Sequence, residues 1–266
     1  MDAAPVMPTN ALGTAPRNRK NPAKPKGDNK QPSQSSAPAK GSGSTKLRGL
    51  PKDSPEVRMS KTLSWLLRHG AQSEGLPMRP DGFVKVTDLL ANPRVVPLDH
   101  AQLQEMVKAD AKQRFALIEE ESVWWIRANQ GHSMKAVKEL ELKPILSISD
   151  IPTKIAVHGT TNAAWDLIAA QGLSKMKRNH IHLAQGIANE NVVSGMRKSS
   201  QILIFVDIER ALVDGIKFSL SDNGVILTEG DERGILPTKY FTRVETAKRI
   251  PIPGWEGVAL EPTTTR

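Results

Sequence analysis

Val123-Trp-Trp-Ile126, followed by Arg127-Ala-Asn-Gln-Gly-His-Ser133, is the stretch from which the rest of the chain can be laid out. The apolar run predicts a strand, and Asn129, Gln130 and Gly131 are residues that turn a chain rather than extend a ladder. Upstream the pattern is helix, helix and hairpin; downstream it is strand, helix and strand. The stretch therefore falls at the seam of an α+β protein with two lobes, where polar side chains are well placed to meet a ligand. On spacing alone, a surface turn after an edge strand is the simpler reading.

With 266 residues the chain is long enough for one or two domains with their own cores. Its formal charge is +9, but +7 of that lies within residues 1–48, where nine Lys and Arg face only Asp2 and Asp28. The remainder is nearly neutral, so an anion site there must be built from a few focused cations and not from a broad basic face. The absence of cysteine excludes disulfides, thiolate metal sites and a cysteine nucleophile. It fits an intracellular protein, of cytoplasm or nucleus. No apolar run is long enough to span a membrane, and residues 1–10 lack a signal-peptide core.

Residues 1–50, rich in Pro, Ser, Lys, Gly and Asn, predict a disordered basic tail. Order begins at Ser54-Pro-Glu56, a capping residue, a proline for the first helical position and an acid in the first turn. Met59, Leu63, Leu66 and Leu67 then share one helical face, with Gly70 as the expected stop after Arg68 and His69. A strand at Phe83–Val86, a brief helix capped by Thr87, a helix over Asp99–Ala109 and a hairpin of Arg114–Leu117 with Val123–Ile126 complete a first lobe over residues 51–137. Helices followed by a hairpin make that lobe winged-helix-like, an order that recurs in nucleic-acid binders.

A connector broken by Pro144 and Pro152 leads into a mainly β second lobe over residues 138–250. It holds strands at Lys154–Val157, Ile181–Leu183, Gln201–Val206, Val225–Leu227 and Lys239–Val244, and helices from Asn162 and over Gly186–Val193. Residues 251–266 predict a loose end.

Familiar catalytic arrangements are missing: there is no P-loop, no HExxH, no GxSxG and no suggestively spaced carboxylate pair. His180 and His182 would share a strand face, but without a third ligand they predict no metal site. Four of six histidines (His69, His132, His158, His182) sit at element ends, where backbone can approach a ligand. Arg68, Arg114 and Arg197 occupy ordered positions. Each alone reads as a solvated surface residue; convergence of all three would make a cage for a phosphate dianion.

Eight stretches then occur in one order between residues 58 and 245: SWLLRHG, LPMRPDGFVKVTDLL, KQRF, IRANQGHS, VHGTT, GLSKMKRNHIHLA, SGMRKSSQILIFVD and SDNGVILTEG. In this the chain resembles the NAD-dependent RNA 2′-phosphotransferase family, enzymes that remove the 2′-phosphate left at a tRNA splice junction. The resemblance implies a winged helix followed by an ADP-ribosyltransferase-like lobe that holds NAD. It implies a catalytic tetrad of Arg68, His69, Arg114 and Arg197, and an NAD pocket using His158, Gly159 and Thr160, continued by His182, Leu183 and Gly186. Where bacterial members often read HLS this chain has Ala184, and where they often read RHG it has Arg197-Lys198-Ser199.

The implied reaction moves an internal RNA 2′-phosphate to NAD, giving RNA 2′-hydroxyl, nicotinamide and ADP-ribose 1″,2″-cyclic phosphate. A phosphate dianion attacking the anomeric carbon needs no base, which suits the missing catalytic arrangements. The implied partners are NAD as co-substrate and a 2′-phosphorylated RNA, with no metal, no membrane and a monomeric protein. Two rivals remain at this stage: an ADP-ribosyltransferase that modifies RNA terminal phosphates, and a non-catalytic RNA-binding protein.

Overall fold

The computed structural model describes residues 49–96, 98–187 and 194–257. The tail expected over residues 1–50 falls almost wholly outside these residues, as do most of the helix expected over 186–193 and the chain end from 258.

Ser54 caps as expected: its backbone is extended and its side chain accepts from the Val57 N–H at 3.3 Å. Pro55 then opens α1 (Pro55–Trp65). Leu63, Leu66 and Leu67 are fully buried on one face. Gly70 does not stop the helix. The chain widens into a π turn over Leu66–Gly70, tightens into a 3-10 turn over Gln72–Glu74, and ends at Gly75, whose φ of +67° is the left-handed conformation that breaks a helix. The widened turn is the one that carries Arg68 and His69.

Next come β1 (Val84–Lys85) and α2 (Val86–Leu90). The strand expected through Val86 is shorter, because the helix starts at Val86 after Lys85, ahead of Thr87 and with no side-chain cap. α3 (His100–Lys108) is held at its start by a reciprocal capping box between Asp99 and Gln102, and fully buries Leu103. β2 (Phe115–Glu120) and β3 (Val123–Ala128) are joined through Glu121 and Ser122, both with positive φ. That is the two-residue turn whose twist matches a hairpin. The three strands order β1-β3-β2 and cover a core of Leu63, Leu66, Leu67, Leu89, Leu103 and Ile126.

The connector contains an unforeseen strand, β4 (Lys143–Ile145), paired with a later one despite Pro144. A proline is tolerated there because the strand is at the sheet edge and its missing N–H breaks no central ladder. β5 (Val157–Thr160) begins where a strand was expected to end. Lys154, with φ +54°, still turns the chain, so His158, Gly159 and Thr160 lie in the strand rather than after it.

α4 (Asn162–Gln171) ends at Gly172 as expected; β6 (Leu173–Ser174), β7 (Ile181–Leu183) and β8 (Ile202–Val206) follow. Asp207 caps α5 (Ile208–Val213), and β9 (Phe218–Leu220), β10 (Ile226–Thr228), β11 (Ile235–Leu236) and β12 (Phe241–Thr246) complete the order. The sheets run β4-β9-β10-β7, β12-β8-β5 and β11-β6. β8 is the middle strand of its sheet and all five of its residues are buried, which is why it reads as a continuous apolar run.

These strands enclose a second core that includes Ile145, Ile151, Leu173, Leu183, Ile204 and Val244. Residues 251–257, expected as part of a loose end, are tied down: Val244 N–H donates to Trp255 O at 2.8 Å, and the Trp255 ring meets Trp165 edge-on at 5.4 Å. Among the described residues no helix is long and apolar enough to cross a membrane.

Candidate active site

The stretch 127–133 is not a surface turn. Arg127, Asn129, Gln130 and His132 are all buried, and each hydrogen bond it makes fixes a neighbouring segment. Ser133 N–H donates to Arg68 O at 3.0 Å, and Ser133 Oγ pairs with His69 Nδ1 at 2.8 Å. Asn129 N–H donates to Arg114 O and its amide to Gln113 O, both at 2.8 Å. One turn thus sets the place of three of the four expected catalytic side chains. Gly131, with φ +91°, lets the backbone close on Arg68: a Cβ there would stand 3.3 Å from Arg68 Nε.

Arg68, His69 and Arg114 are brought together. Burial, then the charges of Arg178 and Arg114, lower the Arg68 pKa to about 10, so it stays a cation at neutral pH. Its Nε and Nη2 find no hydrogen-bond partner among the described residues. Arg114 is better compensated, forming an ion pair with Asp110, whose side chain is 8% exposed and also accepts from the Arg114 N–H. Burial, followed by the Arg178 and Arg68 charges, pushes His69 down to about 4, leaving a neutral imidazole at pH 7.

Arg197 is different. It is exposed, in a turn closed by Ser200 N–H donating to Arg197 O at 3.0 Å. Its charge acts on His158 and Arg178, and its exposure puts it at the rim beside them.

The residues expected on the NAD side form a second group. His158 Nδ1 donates to the His182 carbonyl at 2.9 Å; a carbonyl only accepts, so this ring carries its proton on Nδ1 and Nε2 is left as the acceptor. Burial lowers the pKa of both His158 and His182, keeping them uncharged. His182 Nε2 and Ser200 Oγ are buried without a partner among the described residues. Gly159 allows close approach of its strand to the 196–200 turn: a Cβ would meet Ser200 Oγ at 2.4 Å and Met196 Cγ at 2.6 Å. Thr160 is half-buried beside it, and Gly186 is buried. The Leu183 side chain is part of the second core, which leaves only its backbone for ligand contact.

Reasoning from sequence missed Arg178. It lies in a Lys- and Met-rich stretch that reads as a solvated loop. Although Arg178 remains exposed, protein crowding its guanidinium lowers its pKa first and the Arg197 charge second. The usable signal was its place four residues before His182, within one of the ordered stretches. The surface hollows lined by Leu76 and Asn92 and by His100 and Trp124 contain none of these groups, so the chemistry of the side chains, not concavity, marks the site.

Because His69 and His132 are held down to about 4 and about 3, the native state binds fewer protons than the unfolded chain below the ordinary histidine value of about 6.5. Their contribution to stability is therefore whole above that value and is lost as pH falls toward 4 and then 3. Urea midpoints measured at pH 7.5, 6 and 5 are expected to decline steadily; a flat profile would mean the rings are hydrated.

Arg68, Arg114 and Arg178, one compensating carboxylate at Asp110 and a bank of neutral histidines make up a group chemically suited to an anion such as a phosphate. The profile of the RNA 2′-phosphotransferase, Tpt1 / KptA family matches residues 54–230, and the chain belongs to that family. It is similar to the tRNA 2′-phosphotransferase 1 of Danio rerio, 45% identical over 202 residues covering 75% of this chain and 89% of that protein. The tRNA 2′-phosphotransferase 1 of Homo sapiens is 45% identical over 189 residues, 70% of this chain and 74% of the human one. A Schizosaccharomyces pombe relative, provisionally named a tRNA 2′-phosphotransferase, is 44% identical over 214 residues, 80% of this chain and 58% of that longer protein.

Proposed function

We propose that this chain is a transferase that moves the internal 2′-phosphate of ligated tRNA, or of a similar RNA, to NAD. The observation that carries the reading is the junction of Arg68, His69 and Arg114 around one hydrogen-bonded turn, with Arg68 half-buried and charged and its Nε and Nη2 enclosed without a hydrogen-bond partner among the described residues. A buried cation without a partner is costly unless an anion completes it. The first core, with its three-stranded sheet, supports the winged-helix-like reading of residues 51–137. The second supports an ADP-ribosyltransferase-like lobe over 138–250.

NAD supplies a ribosyl carbon bearing a good leaving group. The polar atoms of His158, His182 and Ser200 and the close wall at Gly159 suit a carboxamide and ribose hydroxyls, and Thr160, Leu183 and Gly186 would border them. In the first step a 2′-phosphate oxygen bonds to that anomeric carbon as its bond to nicotinamide breaks. In the second, the ribosyl 2-hydroxyl attacks phosphorus and the RNA 2′-oxygen leaves, taking up a proton; the products are RNA 2′-hydroxyl and ADP-ribose 1″,2″-cyclic phosphate.

Arg68, His69 and Arg114 hold the phosphate in line, and orientation of this kind is worth ~7–11 kcal/mol when two reactants are well aligned. Arg197, at the rim, stabilises the charge that builds on the phosphoryl oxygens in the second step. The neutral His69 in the free protein would gain a proton beside a dianion, because an opposite charge favours its cationic form.

The test is incubation with NAD and an RNA bearing one internal 2′-phosphate, following nicotinamide and the RNA together. Nicotinamide release matched by loss of the 2′-phosphate and appearance of the cyclic phosphate is expected. A stable RNA-linked ADP-ribose would instead establish the terminal-phosphate ADP-ribosyltransferase, and binding with no release of nicotinamide would establish a non-catalytic RNA binder.

A further inference from the structure

Two hydrogen-bonded chains of contacts meet at residues 178–180. From the first lobe, Ser133 holds Arg68 and His69, and the neighbouring His132 carbonyl accepts from the Asn179 N–H at 2.9 Å. The Asn179 amide donates to Met134 O at 3.3 Å and to Val137 O at 3.2 Å, so one residue makes three bonds across the seam. From the second lobe, β7 begins at Ile181, and the His182 carbonyl holds His158. Arg178 stands beside this pinned residue, and its own N–H donates to Lys175 O at 3.0 Å, which closes the turn.

We propose that Arg178 is a fifth phosphate-binding residue, contributed by the second lobe, and that it contacts the RNA 2′-phosphate together with Arg68 and His69. The proposal rests on the reading under Proposed function. Asn179 fixes the backbone next to Arg178, so the guanidinium cannot retreat far from the other cations by moving the loop. Its charge is the first electrostatic cause of the lowered pKa at Arg68, His69 and His182, ahead of Arg114 and Arg68 themselves. Cations held together in this way repel until an anion arrives. Asp110, paired to Arg114, is the one carboxylate acting on the Arg68 charge among the described residues. A dianion placed between Arg68 and Arg178 relieves that repulsion, and two guanidinium forks match its oxygens better than point charges would. The phosphate is then gripped from both sides of the seam that Asn179 holds.

The test uses the full chain and three probes: an oligoribonucleotide with one internal 2′-phosphate, the same oligoribonucleotide without it, and ADP-ribose alone. Arg178→Ala is expected to weaken binding of the first by about 10- to 100-fold, the range for losing hydrogen bonds to a charged group. It should leave the second and third within about threefold, as expected when only a phosphate contact is lost. Arg178→Lys should fall between the two, because it keeps the charge and loses the fork. An unchanged melting temperature in both variants would exclude a loss of fold, as an exposed side chain predicts.

If Arg178→Ala keeps the full preference for the 2′-phosphate, or if ADP-ribose binding falls instead, the proposal is overturned while the proposed function stands. If the unaltered protein shows no preference for the 2′-phosphate, the proposed function fails and this assignment with it.

Discussion

Arg68→Ala is expected to lower turnover of a 2′-phosphorylated RNA with NAD by about 100- to 1000-fold, the loss that follows removal of one preorganised donor from a developing oxyanion. Its effect on stability should run the other way from most core truncations. The native protein holds the Arg68 guanidinium in a desolvated place with Nε and Nη2 unpartnered, and the nearby charges of Arg178 and Arg114 oppose it. Removing a desolvated cation that, among the described residues, Asp110 alone compensates, and that through its pairing with Arg114, relieves that strain, while the cavity left by the side chain acts against it.

Arg68→Met separates the two terms, because it keeps much of the volume and loses the charge. Its melting temperature is expected to equal or exceed that of the unaltered protein while activity is lost. Arg68→Lys should restore little activity, since a point charge does not reproduce a bidentate fork. A methionine variant that melts well below the parent would show that Arg68 is a structural cation with partners of its own, and would remove it from the catalytic group.

The parts of the fold and site that were legible in the sequence are those fixed over a short stretch of chain. Local signals were readable wherever one residue decides the geometry: Ser54 and Pro55 started α1, Gly172 ended α4, and the apolar run of β8 announced a strand buried on both faces. Elements fixed by distant pairing were not. β4, β6, β9 and β11 are each two or three residues long, and only their partners make them strands. The boundary of β5 was misplaced because Lys154 adopts a positive φ that no propensity foretells, and the stop at Gly70 was misplaced because the π turn carries the helix past it. Among the cations, Arg68 and Arg114 stood beside turns and helix ends that drew attention to them. Arg178 was hidden by composition: a loop of lysines reads as solvated until Asn179 is seen bonded to the other lobe.

The same seam has a second clasp, and its removal should give the largest change in stability. Arg127 is 3% exposed and one guanidinium nitrogen donates to Glu141 and Asp222, both at 3.1 Å, while the other reaches the Asp81 carbonyl at 3.4 Å. The Phe83 ring centroid lies 4.6 Å from its guanidinium carbon. One side chain therefore ties the turn before β1, the connector and the turn between β9 and β10. Arg127→Ala is expected to cost about 2–4 kcal/mol, combining hydrogen bonds to charged groups with a desolvated cation–π contact. The 3–5 kcal/mol typical of a broken buried pair is an upper bound here. The abandoned carboxylates of Asp222 and Glu141 are 46% and 81% exposed and can rehydrate.

Scanning calorimetry reads the prediction in two ways. The midpoint should fall by about 5–15 °C, from ~2–4 °C per kcal/mol for a domain of this size. The transition should also lose cooperativity, with the calorimetric enthalpy exceeding the van't Hoff value as the two cores begin to melt separately. Asp222→Asn keeps an acceptor and should shift the midpoint far less. A single sharp transition at the parent's temperature in Arg127→Ala would mean that Asn179 and the bond from the Asn223 amide to Lys112 O at 3.2 Å suffice to couple the cores. In that case the Arg127 clasp would be incidental to the joining of the two lobes.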